Sequence, residues 1–169
     1  MIEETIIGKN ADIRHEFSII KGAIIGARTR ILDQVNLFRC KIGEDCKIGP
    51  FAYIEPDVVI GDRVKLRSYV AIGEGVTIED DVFIGPFVSF TNDKYPKIRN
   101  DGSWTLLRTT VRQGASIGSS SVILGGITIG KSALIGAGSV VTKDIPSDTL
   151  VYGNPARVIR KISADSRHQ

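Results

Sequence analysis

Histidine is nearly missing from this chain of 169 residues, with only His15 and His168 present. A site of three metal-binding imidazoles therefore cannot come from one copy, and the middle of the sequence offers no imidazole base. Cysteine is as scarce, at Cys40 and Cys46. Cys46 falls on an inward position of the repeat described below and reads as packing, not as a ligand or half a disulfide. No stretch approaches the roughly 18 apolar residues of a membrane span. The opening Met1-Ile-Glu-Glu has neither the basic nor the apolar region of a secretory signal. A cytoplasmic protein with no membrane insertion is expected. The net charge of +3 is too small to point to nucleic acid as a main partner. The length suits one domain.

What the chain does have is a period of six. Large aliphatics stand at Ile7, Ile13, Ile19, Ile25, Ile31 and Leu37, then, after one five-residue step, at every sixth position from Ile42 to Phe90. The series resumes at Val111, Ile117, Ile123, Ile129, Ile135 and Val141. Six is neither the helical 3.6 nor the plain alternation of a half-buried strand. It is the hexapeptide repeat of a parallel β-helix, in which short strands stack coil upon coil. Many of the aliphatics are followed by glycine, as in Ile117-Gly118 and Ile135-Gly136, and glycine tolerates the angles of corners. Four residues after each aliphatic comes a smaller inward residue such as Ala23, Thr29, Ala52 or Ala133. An ordinary β-sandwich does not keep so strict a period.

Three hexads make one three-sided coil, so the repeat predicts about seven coils. Residues 1–150 form the β-helix on this reading, and 151–169 a C-terminal capping helix and tail. Between Phe90 and Val111 about fifteen extra residues leave the prism as a polar, aromatic excursion, counted here as loop 91–108. Loops that long in compact domains are usually functional. Asn154 suits a helix N-cap and Pro155 the first helical position, which predicts a short helix through about Ile162. Ser163 to Gln169 are expected to fray.

With repeat, loop and cap in view, the chain resembles the hexapeptide-repeat acyltransferases. Within them, Ile78-Glu-Asp-Asp-Val-Phe-Ile-Gly-Pro and Phe90-Thr-Asn-Asp-Lys-Tyr-Pro-Lys resemble the branch that N-acetylates amino groups of nucleotide-linked sugars, 3-amino sugars destined for surface polysaccharides. The resemblance implies a left-handed parallel β-helix and a homotrimer with acetyl-CoA lying between adjacent prisms as co-substrate. It implies that Ser119 and Ala137, 18 residues apart, hold the pantetheine arm by backbone groups. Lys143, Arg157, Arg160 and Lys161 would then meet the coenzyme's phosphates. The phrase Gly153-Asn-Pro-Ala-Arg157 is common in these enzymes.

Missing histidine fits N-acetylation, because a free amine, unlike a hydroxyl, needs no strong base. The resemblance casts Asn92 as the group that accepts a hydrogen bond from the amine and orients its lone pair. Thr91, Asp93, Tyr95 and Lys97 would contact sugar or diphosphate. Trp104 either pins the loop or stacks on a base, and His15 either lines the cleft or is a surface residue. No metal is expected.

Overall fold

The computed structural model describes residues 1–14, 16–98 and 103–162. His15, His168 and the expected fraying tail lie outside them.

Each hexad folds into one strand of two or three residues, and its inward position carries the large aliphatic. Strands 17 or 18 residues apart pair in parallel, as Tyr53–Ile54 does with Asn36–Phe38 below and Ala71–Ile72 above. Three sheets result. The first side begins with Ile2–Glu3 and ends with Val140–Val141, eight strands in all. The second runs from Ile6–Ile7 to Thr128–Ile129, with seven. The third begins with Asp12–Ile13 and has nine. The fold is the parallel β-helix expected, about one coil taller than the sequence suggested.

The interior is a column of aliphatics: Ile48, Leu66, Ile84, Ile117 and Ile135 are all essentially solvent-free. At roughly 1.5–3 kcal/mol per buried side chain, this column is the main favourable term in a fold whose strands are too short to stand alone. Two residues before each aliphatic comes the smaller buried residue, for example Ala52, Val58, Val64 and Val82. Both cysteines take this position. Cys46 donates its thiol to the Gly61 carbonyl at 3.1 Å, and burial pushes the Cys40 thiol pKa up to about 12.

One step of the repeat differs from the sequence reading. Ile20, not Ile19, is the inward residue: it is fully buried and pairs with Leu37, whereas Ile19 is 40% exposed. Ser18 takes the small position before it, its hydroxyl accepting from the Val35 amide at 3.2 Å. Two adjacent isoleucines leave a periodic pattern no means of choosing between them. The neighbouring coil chooses, through register.

Corners also use glycine differently from expectation. The glycine after an aliphatic serves close approach: a Cβ on Gly118 would lie 2.5 Å from the Ala137 nitrogen in the next coil. The positive φ falls two residues later and is mostly borne by other residues, including Asn10, Asp45, Asp57 and Ser120. At the corner between the third and first sides the series includes Phe51, Tyr69 and Phe87, whose rings stack at 4.5 and 4.8 Å. Along the corner between the second and third sides Arg28 pairs with Asp45 and Arg63 with Asp81.

The expected C-terminal helix is a β-hairpin. Thr149–Gly153 pairs in parallel with Leu134–Ile135, and Ala156–Lys161 returns antiparallel to it. A turn through the cis Asn154–Pro155 peptide joins the two strands. The β-branched Val151, Val158 and Ile159 favour strand, and the open edge of the third sheet supplies hydrogen-bond partners that a helix would leave unmade. Residues 151–162 thus extend the third side.

Candidate active site

The excursion leaves at the corner between the first and second sides, after Phe90, and rejoins the second side at Thr110–Val111. Its root is tied down. The Thr91 amide donates to the Ile123 carbonyl at 2.9 Å and the Leu107 amide to the Asn92 carbonyl at 3.1 Å. The Gly125 amide donates to the Thr91 hydroxyl at 3.1 Å. Leu106 packs where a side chain on Gly75 would otherwise go.

This root overhangs a groove of about 800 Å³ along the same corner. Its apolar wall is Phe38, Tyr53 and Trp104; the rings of Phe38 and Tyr53 lie 6.1 Å apart at a tilt of 60°. Glu55, Glu74 and Asp93 supply carboxylates, and Lys21 and Arg39 supply cations. Lys21 is already paired with Glu3 at 3.0 Å. Asn92 stands at the loop end of the groove with its side-chain nitrogen donating to Glu55 Oε2 at 3.4 Å, and the same oxygen accepts from the Glu74 amide at 2.8 Å. Such a groove offers flat apolar surface beside carboxylate and amide acceptors, a combination suited to a ligand carrying a ring and an amine.

Of the residues expected from sequence, the fold brings Asn92, Asp93 and Trp104 to the groove. Thr91, Tyr95 and Lys97 do not line it: the Thr91 hydroxyl serves the loop root, while Tyr95 is 72% exposed, its amide bound by Asp93 Oδ1 at 2.8 Å. Sequence reasoning missed Glu55, Glu74, Phe38 and Tyr53. Two signals were available: Glu74 precedes Asn92 by one coil of 18 residues, and Ile54 is followed by Glu55 at a position where about half of the series aliphatics are followed by glycine.

Ser119 and Ala137 lie at a different corner, between the third and first sides, in successive coils. They stack as expected: the Gly138 amide donates to the Ser119 carbonyl at 2.8 Å, and a Cβ on Gly85 would lie 2.7 Å from the Ser119 nitrogen. One coil further on, Tyr152 occupies this edge and pairs with Arg157. Arg157, Arg160 and Lys161 are exposed on the terminal strand, and Lys143 follows the last strand of the first side, so all four cations sit at one end of the prism. Among the described residues, no cluster of three His, Cys, Asp or Glu is placed to hold a metal ion, and no helix is long and apolar enough to cross a membrane.

Comparison with known proteins agrees with this architecture. The family described as bacterial transferase hexapeptide (six repeats) matches residues 39–74 and 108–143. Over 98% of its length the chain is 30% identical to the bifunctional protein GlmU of Heliobacterium modesticaldum, covering 40% of that protein. It is 63% identical over 51 residues, 30% of this chain and 27% of the other, to the dTDP-3-amino-3,6-dideoxy-alpha-D-galactopyranose 3-N-acetyltransferase of Aneurinibacillus thermoaerophilus. The chain thus spans about two fifths or less of the length of these curated relatives. Among solved structures, a hexapeptide-repeat acetyltransferase of Vibrio cholerae complexed with acetyl-CoA is 30% identical, with a TM-score of 0.53 over 84% of this chain and 72% of that one. A repeat that matches in sequence, a prism that matches in shape and a relative matched over most of both chains lead to one conclusion: the chain belongs to the hexapeptide-repeat acetyltransferases.

Proposed function

We propose that this protein transfers the acetyl group of acetyl-CoA to the amine of a dTDP- or UDP-linked amino sugar, a 3-amino sugar by preference. The observation that carries this reading is Asn92, held by Glu55 at the end of an aromatic-walled groove. The segment of 63% identity to a dTDP-3-amino-sugar N-acetyltransferase supports it, as does the acetyl-CoA complex of the Vibrio cholerae relative.

In this account the nucleotide base lies against the aromatic wall and the sugar amine reaches Asn92. With the Asn92 nitrogen turned to Glu55, the amide oxygen accepts a hydrogen bond from the amine and aims its lone pair. That lone pair forms the C–N bond to the thioester carbonyl, and a backbone N–H at the coil edge stabilises the oxyanion. The C–S bond then breaks, and the nitrogen's surplus proton passes to the leaving thiolate to give free coenzyme A. The pantetheine arm lies along the Ser119–Ala137 edge and the phosphates near Arg157, Arg160, Lys161 and Lys143.

The two half-sites occupy opposite margins of the first side, so one chain cannot bring them together. A neighbouring copy can, if its Asn92 corner faces the Ser119 edge of the first. The exposed stack of Phe51, Tyr69 and Phe87 runs along that same edge and offers the partner an apolar seat. A closed trimer satisfies this geometry.

The test is release of free thiol from acetyl-CoA against a panel of UDP- and dTDP-linked 3-amino and 4-amino sugars. Turnover on a 3-amino member is expected, with kcat lowered about tenfold or more by Asn92→Ala. Turnover confined to amines without a nucleotide, or an Asn92→Ala enzyme with unchanged kcat, would contradict the reading.

A further inference from the structure

We infer that Glu55 is a positioning residue, whose carboxylate decides which way the Asn92 amide faces. The inference rests on the role proposed for Asn92.

The backbone of Asn92 is already fixed from two sides. Its carbonyl accepts from the Leu107 amide at 3.1 Å, and its Cα lies against Gly125, where a Cβ would come within 3.1 Å. The amide plane packs closely over Gly73: a Cβ there would lie 3.2 Å from Asn92 Nδ2 and 3.2 Å from the Phe90 carbonyl oxygen, crowding the amide. What remains free is the choice between the two ends of the amide. An amide presents a donor at one end and an acceptor at the other, whereas an ionised carboxylate only accepts. Glu55 Oε2 at 3.4 Å from Nδ2 therefore sets the nitrogen inward. The reversed amide would oppose two acceptors across the same gap.

Glu55 is held in turn. Its Oε2 takes the Glu74 amide at 2.8 Å, and its own amide donates to the Ile72 carbonyl at 3.0 Å. One carboxylate thus links three successive coils: its own, the Glu74 corner and the Asn92 corner. The residue directly follows the inward aliphatic Ile54, a position from which a longer side chain reaches the coils above.

The experiment is a double-mutant cycle with steady-state kinetics on the best acceptor from the panel. Glu55→Ala should lower kcat by about five- to tenfold, with KM for acetyl-CoA unchanged, and the isosteric Glu55→Gln by a smaller factor. Because Glu55 acts through Asn92, adding Glu55→Ala to Asn92→Ala should lower kcat by less than about twofold more. Glu55→Gln keeps the shape of the corner, so a fall in its kcat with an unchanged unfolding midpoint separates positioning from loss of fold. Losses that multiply in the double variant, or a Glu55→Ala enzyme with wild-type kcat, would overturn the inference while leaving Asn92 in place. A wild-type kcat for Asn92→Ala alone would overturn both readings.

Discussion

Two residue types show how the packing limits chemistry. Cys40 and Cys46 fill the small inward position, and burial disfavours the charged thiolate in both. With the Cys40 pKa pushed up to about 12, its thiol is neutral across the working pH range, and only the thiolate attacks disulfide reagents. Folded protein mixed with a chromogenic disulfide at pH 8 should release almost no colour until denaturant is added; two fast-reacting thiols would contradict this burial. The absence of such a background also favours thiol release as the assay. Gly118 illustrates the opposite limit. A methyl there would meet the backbone of the next coil at 2.5 Å, so Gly118→Ala should destabilise by about 1–3 kcal/mol, read as a lower denaturation midpoint with an unchanged slope. The φ at Gly118 is not in the left-handed region, so the expected loss comes from crowding between coils.

Elements place these residues, and they differ in how far sequence revealed them. The hexads were legible because each side of the prism repeats one demand, a large apolar residue at one phase, so that even short strands leave a long signal. Ile19 and Ile20 were not separable, since the phase there depends on pairing with Leu37. The terminal segment misled for a related reason. Asn154 and Pro155 carry helix-start chemistry in isolation, but the open edge beside Leu134–Ile135 recruits the segment as strand. Asn92 could be picked out from its phrase, whereas its partner Glu55 is 37 residues away and becomes a neighbour only through stacking. The hairpin also carries a prediction. Arg157 and Arg160 are exposed on its outer strand, each donating to a carbonyl on that strand, so removing their charges should leave stability within about 0.5 kcal/mol. If they meet the coenzyme's phosphates, the Arg157→Ala/Arg160→Ala protein should show KM for acetyl-CoA raised about tenfold with kcat unchanged. An unchanged KM would remove the hairpin from the cofactor site.

At the scale of the molecule, the prism sets its two chemical edges apart. The groove with Asn92 follows the corner leaving the first side, and the Ser119–Ala137 edge follows the corner entering it. The flat side between them packs on fully buried inward residues, Ile54, Ile72 and Ile123, and close packing of this kind opposes the bending that would bring the edges together. On the proposed reading, a site shared between copies is the arrangement that brings acetyl donor and amine together. The most direct test mixes two impaired proteins. Asn92→Ala spoils one half-site, and Ala137→Trp, at an exposed position, blocks the other. Unfolded together in equal amounts and refolded, they should recover about a quarter of wild-type activity, since half the copies at each edge are intact and the edges combine at random. Refolded separately, each should stay at or below about a tenth of wild-type activity. A mixture no more active than its parents, with both variants assembled normally, would contradict a site built from two chains.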